Sequence, residues 1–239
     1  MIDIHCHLLY GVDDGAATRD VSVMMLQEAA KQGITDIILT PHYRKGMFPF
    51  DTDQISENYD SIRPVANEAG IRLYLGCEYH VNSDMVDNLR IGRAITMAGT
   101  DYVLAEYSGD STVLRIQNSL DDLLSNGYIP IIAHAERYGA VAKDPSILAQ
   151  FRRMGALVQI NANSILGYDG FALKRICKKI LRSDLADIAA SDSHDMSGRR
   201  CRMSECMKYV KKKYGQPAAD RLFVRNPGRI IEGTQSTIE

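Results

Sequence analysis

An α/β barrel is the fold class this sequence predicts, and three observations predict it. Strand, loop and helix alternate about seven times along the chain, which implies a parallel sheet with helices outside it. Strands such as Ile129–Ala133 are nearly continuous apolar runs, suited to burial on both faces. The 239 residues suit one domain, 1–239, because α/β barrels commonly reach roughly 250 residues as a unit. So many units in one domain favour a closed or nearly closed barrel over an open sheet. The chemistry of such barrels sits at the carboxyl ends of the strands.

The first strand is read in Met1-Ile2-Asp3-Ile4-His5-Cys6-His7, where Ile2, Ile4 and Cys6 alternate with Asp3, His5 and His7. A period of two sends His5 and His7 to the same side. The glycine-bounded loop Gly11-Val12-Asp13-Asp14-Gly15 follows. Thr18 then caps a helix whose Val21, Met24, Met25 and Ala29 recur at helical spacing, and Gly33 stops it. Thr35–Thr40 is a mostly apolar strand ending in Pro41-His42-Tyr43, and a long loop carries Lys45, Met47, Phe48, Pro49 and Phe50. Residues 52–69 read as a helix interrupted or bent near Pro64 and closed by Gly70. The strand Arg72–Cys77 ends at Glu78-Tyr79-His80, and a short polar segment runs from Ser83 to Arg90.

Asp101–Ala105 is the next strand, ending at Glu106, and Thr112–Asn126 is a helix stopped by Gly127. Ile129–Ala133 leads into His134-Ala135-Glu136-Arg137, and the helix Pro145–Met154 stops at Gly155. Ala156–Ile160 is a strand ending in Asn161-Ala162-Asn163, and Phe171–Arg182 is a helix. Leu185–Ala190 is the last strand, ending at Ser191-Asp192-Ser193-His194-Asp195. Residues 199–214 read as a basic helix, and a tail follows.

Composition narrows the function classes. The net charge of −2 offers no bulk attraction to nucleic acid or to an anionic membrane. Five cysteines, an odd number without framework spacing, predict reduced thiols and a cytoplasmic setting. The first strand begins at Ile2, so no signal peptide is expected, and no apolar run approaches the roughly 20 residues of a membrane helix. Direct membrane insertion is not expected, while a homo-oligomer is left open.

All six histidines fall at strand ends or just beyond them: His5, His7, His42, His80, His134 and His194. Glu78, Glu106 and Asp192 join them there. Singly, each is ordinary, since histidines after strands are often hydrogen-bonding groups and carboxylates there often cap helices. In a parallel barrel these positions converge on one mouth, and one metal cluster accounts for all of them. Imidazoles mixed with carboxylates suit manganese, iron or zinc rather than calcium or magnesium. Parity puts His80 on the Glu78 side of its strand, at the edge of the site.

The chain resembles the PHP (polymerase and histidinol phosphatase) superfamily, and within it the bacterial manganese-dependent protein-tyrosine phosphatases of capsule and exopolysaccharide loci. The resemblance rests on Ile2–His7, Gly11–Gly15, Thr40-Pro41-His42-Tyr43, Gly76-Cys77-Glu78, Ala133–Tyr138, Gln159–Ser164 and Ser191-Asp192-Ser193-His194. Ala135 stands where many relatives carry proline. The resemblance implies a distorted seven-stranded (β/α) barrel holding three divalent metal ions, manganese first, with iron or zinc as alternatives. His5, His7, Glu78 and Asp192 would hold one ion, and Glu78 would bridge to a second, bound also by His134. His42, Glu106 and His194 would hold the third. Arg137 and Arg199 would bind the substrate phosphate during catalysis, with Asp14 and Asp195 as candidates for orienting a histidine or a water.

The implied reaction is hydrolysis of phosphotyrosine by a metal-activated hydroxide, the substrate being the tail of a bacterial tyrosine kinase. A small-molecule phosphomonoesterase of the histidinol-phosphatase kind is the close alternative, and a non-catalytic metal- or phosphotyrosine-binding module a more distant one. A nuclease would be expected to carry a basic strip. Cysteine-dependent phosphatases pair their nucleophile with an arginine six residues on. Here Val12, Ser83, Ser183, Met207 and Lys212 follow Cys6, Cys77, Cys177, Cys201 and Cys206 at that spacing, so the anion cradle is missing. Two features stay open between a functional and a structural role. The loop Tyr43–Phe50 could cradle a phosphotyrosine ring or peptide, or pack on itself, and Lys208, Lys211, Lys212 and Lys213 could attract an acidic kinase tail or form a solvated helix face.

Overall fold

Each expected strand is present, in parallel pairing throughout, but two are broken in half. The computed structural model describes residues 1–233, and residues 234–239 of the expected 1–239 domain lie outside it. One sheet has the order β1 (Ile2–Cys6), β2 (Asp36–Leu39), β4 (Arg72–Leu75). The other runs β3 (His42–Tyr43), β5 (Glu78–His80), β6 (Tyr102–Glu106), β7 (Ile129–Ile132), β8 (Leu157–Asn161), β9 (Ile188–Ala190). The second expected strand divides into β2 and β3 at Thr40-Pro41, where proline has no N–H to donate. The third divides into β4 and β5 at Gly76-Cys77. The hydrogen bonding therefore delineates three-stranded and six-stranded sheets rather than one seven-stranded ring.

The sheets curl until their ends meet. Beyond β9, the Asp192 N–H donates to the His5 carbonyl and the His7 N–H to the Ser193 carbonyl, both at 2.8 Å. Helices α1 (Arg19–Lys31), α2 (Thr52–Glu68), α3 (Met85–Arg90), α4 (Val113–Ser125), α5 (Gly139–Lys143), α6 (Ile147–Met154), α7 (Ala162–Leu166), α8 (Phe171–Arg182) and α9 (Met203–Tyr214) follow the strands. Thr18 caps α1 as expected, accepting from the Val21 N–H. α2 runs through Pro64 without a break. No helix among the described residues is long and apolar enough to cross a membrane.

The described part of the expected tail, up to residue 233, is largely helical and belongs to the core. α10 (Gln216–Asp220) and α11 (Asn226–Glu232) each begin with proline in their first turn, Pro217 and Pro227, where its fixed φ suits a helix start. Ile230 of α11 packs into a small inner cluster with Ile4, Ile38, Leu104, Ile131 and Ile188, the inward residues of the strands. Gly76 belongs to this packing, because a Cβ there would stand 2.9 Å from the Met97 sulfur. The larger cluster lies between strands and helices and includes Cys6 and Cys77, which face away from the inner cluster as expected. Ile230 has no exposed surface. Ile230→Ala is expected to cost about 2–5 kcal/mol in urea unfolding; a change below about 1 kcal/mol would mean that α11 does not close the core.

Candidate metal centre

Strict alternation in β1 fails at one point, and the site depends on that failure. Pairing with β2 runs Asp3 to Ile37 and then Cys6 to Leu39, so β1 carries one extra residue between them. Such a bulge re-aims side chains. Ile4 packs into the inner cluster, yet the next residue, His5, joins His7 above it. Asp3, expected on the histidine side, instead accepts the Ser191 N–H at 3.0 Å and braces the end of β9.

The residues expected at the mouth converge around Glu78. Its Oε2 lies 3.2 Å from His5 Nε2, 3.2 Å from His7 Nε2 and 3.1 Å from His42 Nδ1. Its Oε1 lies 2.7 Å from His134 Nε2. Asp192 Oδ1 is 3.5 Å from His5 Nε2 and 3.6 Å from both His7 Nε2 and His194 Nδ1. Candidate donors fall into three groups: His5, His7, Glu78 and Asp192; His42, Glu78 and Glu106; and His7, Asp14, His42 and His194. The triad of His42, Glu106 and His194 expected for a third ion is thus divided. His42 is shared: it groups with Glu78 and Glu106 on one side, and on the other it and His194 meet the carboxylate of Asp14, 3.4 and 3.5 Å away. Asp14 consequently faces the donors directly rather than standing behind one of them.

The supporting position belongs to Asp13. Its buried Oδ2 accepts from His7 Nδ1 at 2.7 Å and from the His42 N–H at 3.0 Å. Asp195, the other expected orienter, instead accepts from the Ser197 N–H and hydroxyl and the Arg199 N–H, shaping the turn that carries Arg199. His80 supports Glu106, with Nδ1 at 2.8 Å from Oε2.

Two further residues hold the cluster in place. Gln159 Oε1 accepts from His5 Nδ1 at 3.0 Å and from the His134 N–H at 2.8 Å. Gln159 Nε2 donates to Asn161 Oδ1 at 2.8 Å, and Asn161 Nδ2 donates to Asp192 Oδ2 at 2.7 Å. With Nδ1 engaged by Gln159, His5 turns its Nε2 toward Glu78. The signal of this arrangement in the sequence is a pair of amides, two apart, in the otherwise apolar strand 157–161. Gln159→Leu is expected to weaken divalent-metal affinity about 10- to 100-fold by calorimetry. Undiminished affinity would make the amide a packing group only.

Backbone strain collects at the same place. His134 and Asp192 adopt positive φ, 30° and 50°, in the left-handed region that costs non-glycine residues of order 1–3 kcal/mol. The surrounding hydrogen bonds hold both there, with the His134 N–H on Gln159 and the Asp192 N–H on His5. At the rim, Arg137 Nη1 lies 2.9 Å from Asp192 Oδ2. Arg199 Nη2 lies 3.4 Å from Asp192 Oδ1, and its Nη1 lies 3.3 Å from Asp14 Oδ2.

The electrostatics fit cations. Burial alone would raise the Glu78 and Asp192 carboxyls, but His5 foremost, with other cationic neighbours, holds both well below the usual range. Burial would lower His7, yet Asp13 and Glu78 outweigh it and raise its pKa well above the ordinary value. His42 Nδ1 and His194 Nε2 are buried without a hydrogen-bond partner among the described residues. Bare imidazole nitrogens beside carboxylates are the donor set of a divalent transition metal. The thiols offer no alternative nucleophile, since burial pushes Cys77 up to about 12 and Cys6 well above its ordinary value.

Residues 1–232 match the family model described as capsular polysaccharide synthesis, CpsB/CapC. The tyrosine-protein phosphatase CpsB of Streptococcus pneumoniae is 34% identical, over 97% of this chain and 98% of that protein. The tyrosine-protein phosphatase YwqE of Bacillus subtilis is 31% identical, over 90% of this chain and 85% of its own. Crystal structures of YwqE and CpsB, described as unique metal-dependent tyrosine phosphatases, include one that superposes with a TM-score of 0.91 at 29% identity, covering 98% of this chain and 95% of that one. A lactonase from Listeria monocytogenes shares the fold at a TM-score of 0.64 and 11% identity, covering 99% of this chain and 95% of its own.

Proposed function

The chain belongs to the CpsB/CapC family of capsular polysaccharide synthesis, and from that premise we propose that it is a metal-dependent tyrosine phosphatase. Its substrate is phosphotyrosine in a protein, the tail of a bacterial tyrosine kinase. The observation that carries the reading is the meeting of opposite charges at one mouth. Glu78, Asp192, Glu106 and Asp14 crowd the imidazoles, and the guanidiniums of Arg137 and Arg199 stand over Asp192. His5, His7, Glu78 and Asp192 would hold one divalent ion. Glu78 and His134 would serve a second, and His42, His194, Glu106 and Asp14 would supply the remaining donors. Manganese would be the preferred metal.

Divalent cations bound at these donors would supply charge against the phosphoryl oxygens and a nucleophile at neutral pH. The protein's own groups do the rest. Gln159 and Asp13 keep the Nδ1 protons of His5 and His7, so both rings present Nε2 to the centre. Arg137 and Arg199 are already aimed by carboxylates, and each keeps further N–H donors for phosphate oxygens. Aiming donors before the substrate arrives avoids reorganisation during the reaction. A tyrosyl leaving group, with a pKa of about 10, needs less protonation than an alkoxide.

Side-by-side rates on a phosphotyrosine peptide and on histidinol phosphate, with manganese, test the reading. The peptide is expected to be the better substrate, with turnover lost on chelation and restored by Mn²⁺. Far better turnover of histidinol phosphate would replace the phosphotyrosine assignment with the small-molecule one.

A further inference from the structure

A cleft of about 450 Å³ lies beside the metal centre, and nothing in the reaction described above uses it. Its walls include Tyr43, Phe48 and Phe50, with Arg44, Lys45 and Arg93 among them and no acidic residue. In a chain of net charge −2 this is a local excess of positive charge. Lys45 is neutralised by Asp84 at 2.9 Å, whereas Arg44 and Arg93 have no ion-pair or hydrogen-bond partner for their side chains among the described residues. The aromatic wall is braced, because Tyr43 stacks on buried Tyr79 at 4.5 Å and Phe50 packs on Tyr43 at 5.0 Å. It also reaches the reacting centre, since Phe48 stacks on His42 at 5.2 Å with the rings 6° apart.

The geometry points to a subsite for an acidic peptide: the cleft takes Asp or Glu side chains that flank the phosphotyrosine in the substrate. This rests on the phosphatase reading above. One ring separates His42 from the cleft, and an extended peptide advances ~3.3–3.6 Å per residue, so positions within about three of the phosphotyrosine reach it. Unpaired guanidiniums recognise carboxylates through paired N–H donors, and the aromatic faces take the aliphatic part of the side chain. The cleft therefore discriminates among phosphotyrosine sites by their neighbours, while Arg137 and Arg199 act on the phosphate common to all of them.

Affinity, read without turnover, tests the subsite. Fluorescent peptides carrying a non-hydrolysable phosphonate analogue of phosphotyrosine, flanked by glutamate or by alanine, are titrated with the manganese-loaded protein. The glutamate peptide is expected to bind about ten-fold more tightly, a preference that added salt reduces. Arg44→Glu and Arg93→Glu are each expected to abolish most of that preference, and Arg93→Lys to retain part of it. Equal affinity for the two peptides, or a preference that survives both charge reversals, would overturn the assignment. Failure of the phosphatase reading is seen separately, as absence of turnover of an ordinary phosphotyrosine peptide by the unaltered protein.

Discussion

Glu78→Gln is expected to lower turnover of a phosphotyrosine peptide by at least about a thousand-fold. Among the described residues no other side chain touches so many of the candidate ligands, since its two oxygens face His5, His7, His42 and His134 at 2.7–3.2 Å. The amide keeps the shape of the side chain but removes its charge and half of its acceptor capacity. A cation acting as Lewis acid is worth several kcal/mol of transition-state stabilisation, and each ~1.4 kcal/mol is tenfold in rate. Losing ~4 kcal/mol gives the stated figure. Thermal unfolding supplies an independent reading. Manganese at about a hundred times its dissociation constant stabilises the native state by ~2.7 kcal/mol, or roughly 5–10 °C for a domain of this size. That shift is expected to shrink in Glu78→Gln at the same manganese concentration. A variant retaining both the full shift and the activity would remove Glu78 from the centre.

How much of this centre could be read in advance depends on what strand periodicity can carry. The strand ends were legible because histidines and carboxylates recur there against an apolar background, as at His42, Glu78 and His134. The three-dimensional grouping was not, because it turns on features without a periodic signature. The bulge between Asp3 and Cys6 is a single extra residue, yet it sends Asp3 away from the histidines and lets Ile4 and His5 both face inward. Asp13 and Asp14 are adjacent in one loop, and only its path decides that Asp13 backs His7 while Asp14 meets His42 and His194. Gly15 sets that path: a Cβ there would fall onto the His7 carbonyl and within 2.5 Å of the His7 Cβ. The C-terminal helices escaped for a different reason. They are short, and Ile230 reaches a core whose other members lie far away in sequence.

Arg137→Ala is expected to lower kcat/KM by about 10²–10³, the usual loss when one aimed donor to a transition-state anion is removed. Its effect on the metals should differ from that of Glu78→Gln, and this contrast separates substrate binding from ligation. Arg137 touches Asp192 through one contact at 2.9 Å, while Asn161 holds the same carboxylate oxygen at 2.7 Å. Burial would raise the Asp192 carboxyl, but His5, Arg137 and His134 pull it down, so cationic neighbours besides Arg137 face it, Arg199 among them. The manganese-induced thermal shift is therefore expected to persist in Arg137→Ala. Inhibition by inorganic phosphate should weaken, because a fork of N–H donors over the cluster has gone. Arg137→Lys restores the charge without the fork and should fall between the alanine variant and the unaltered protein. Loss of the thermal shift along with activity would show that Arg137 serves Asp192 rather than the substrate, and the phosphate clamp would then rest on Arg199, whose guanidinium already bridges Asp14 and Asp192.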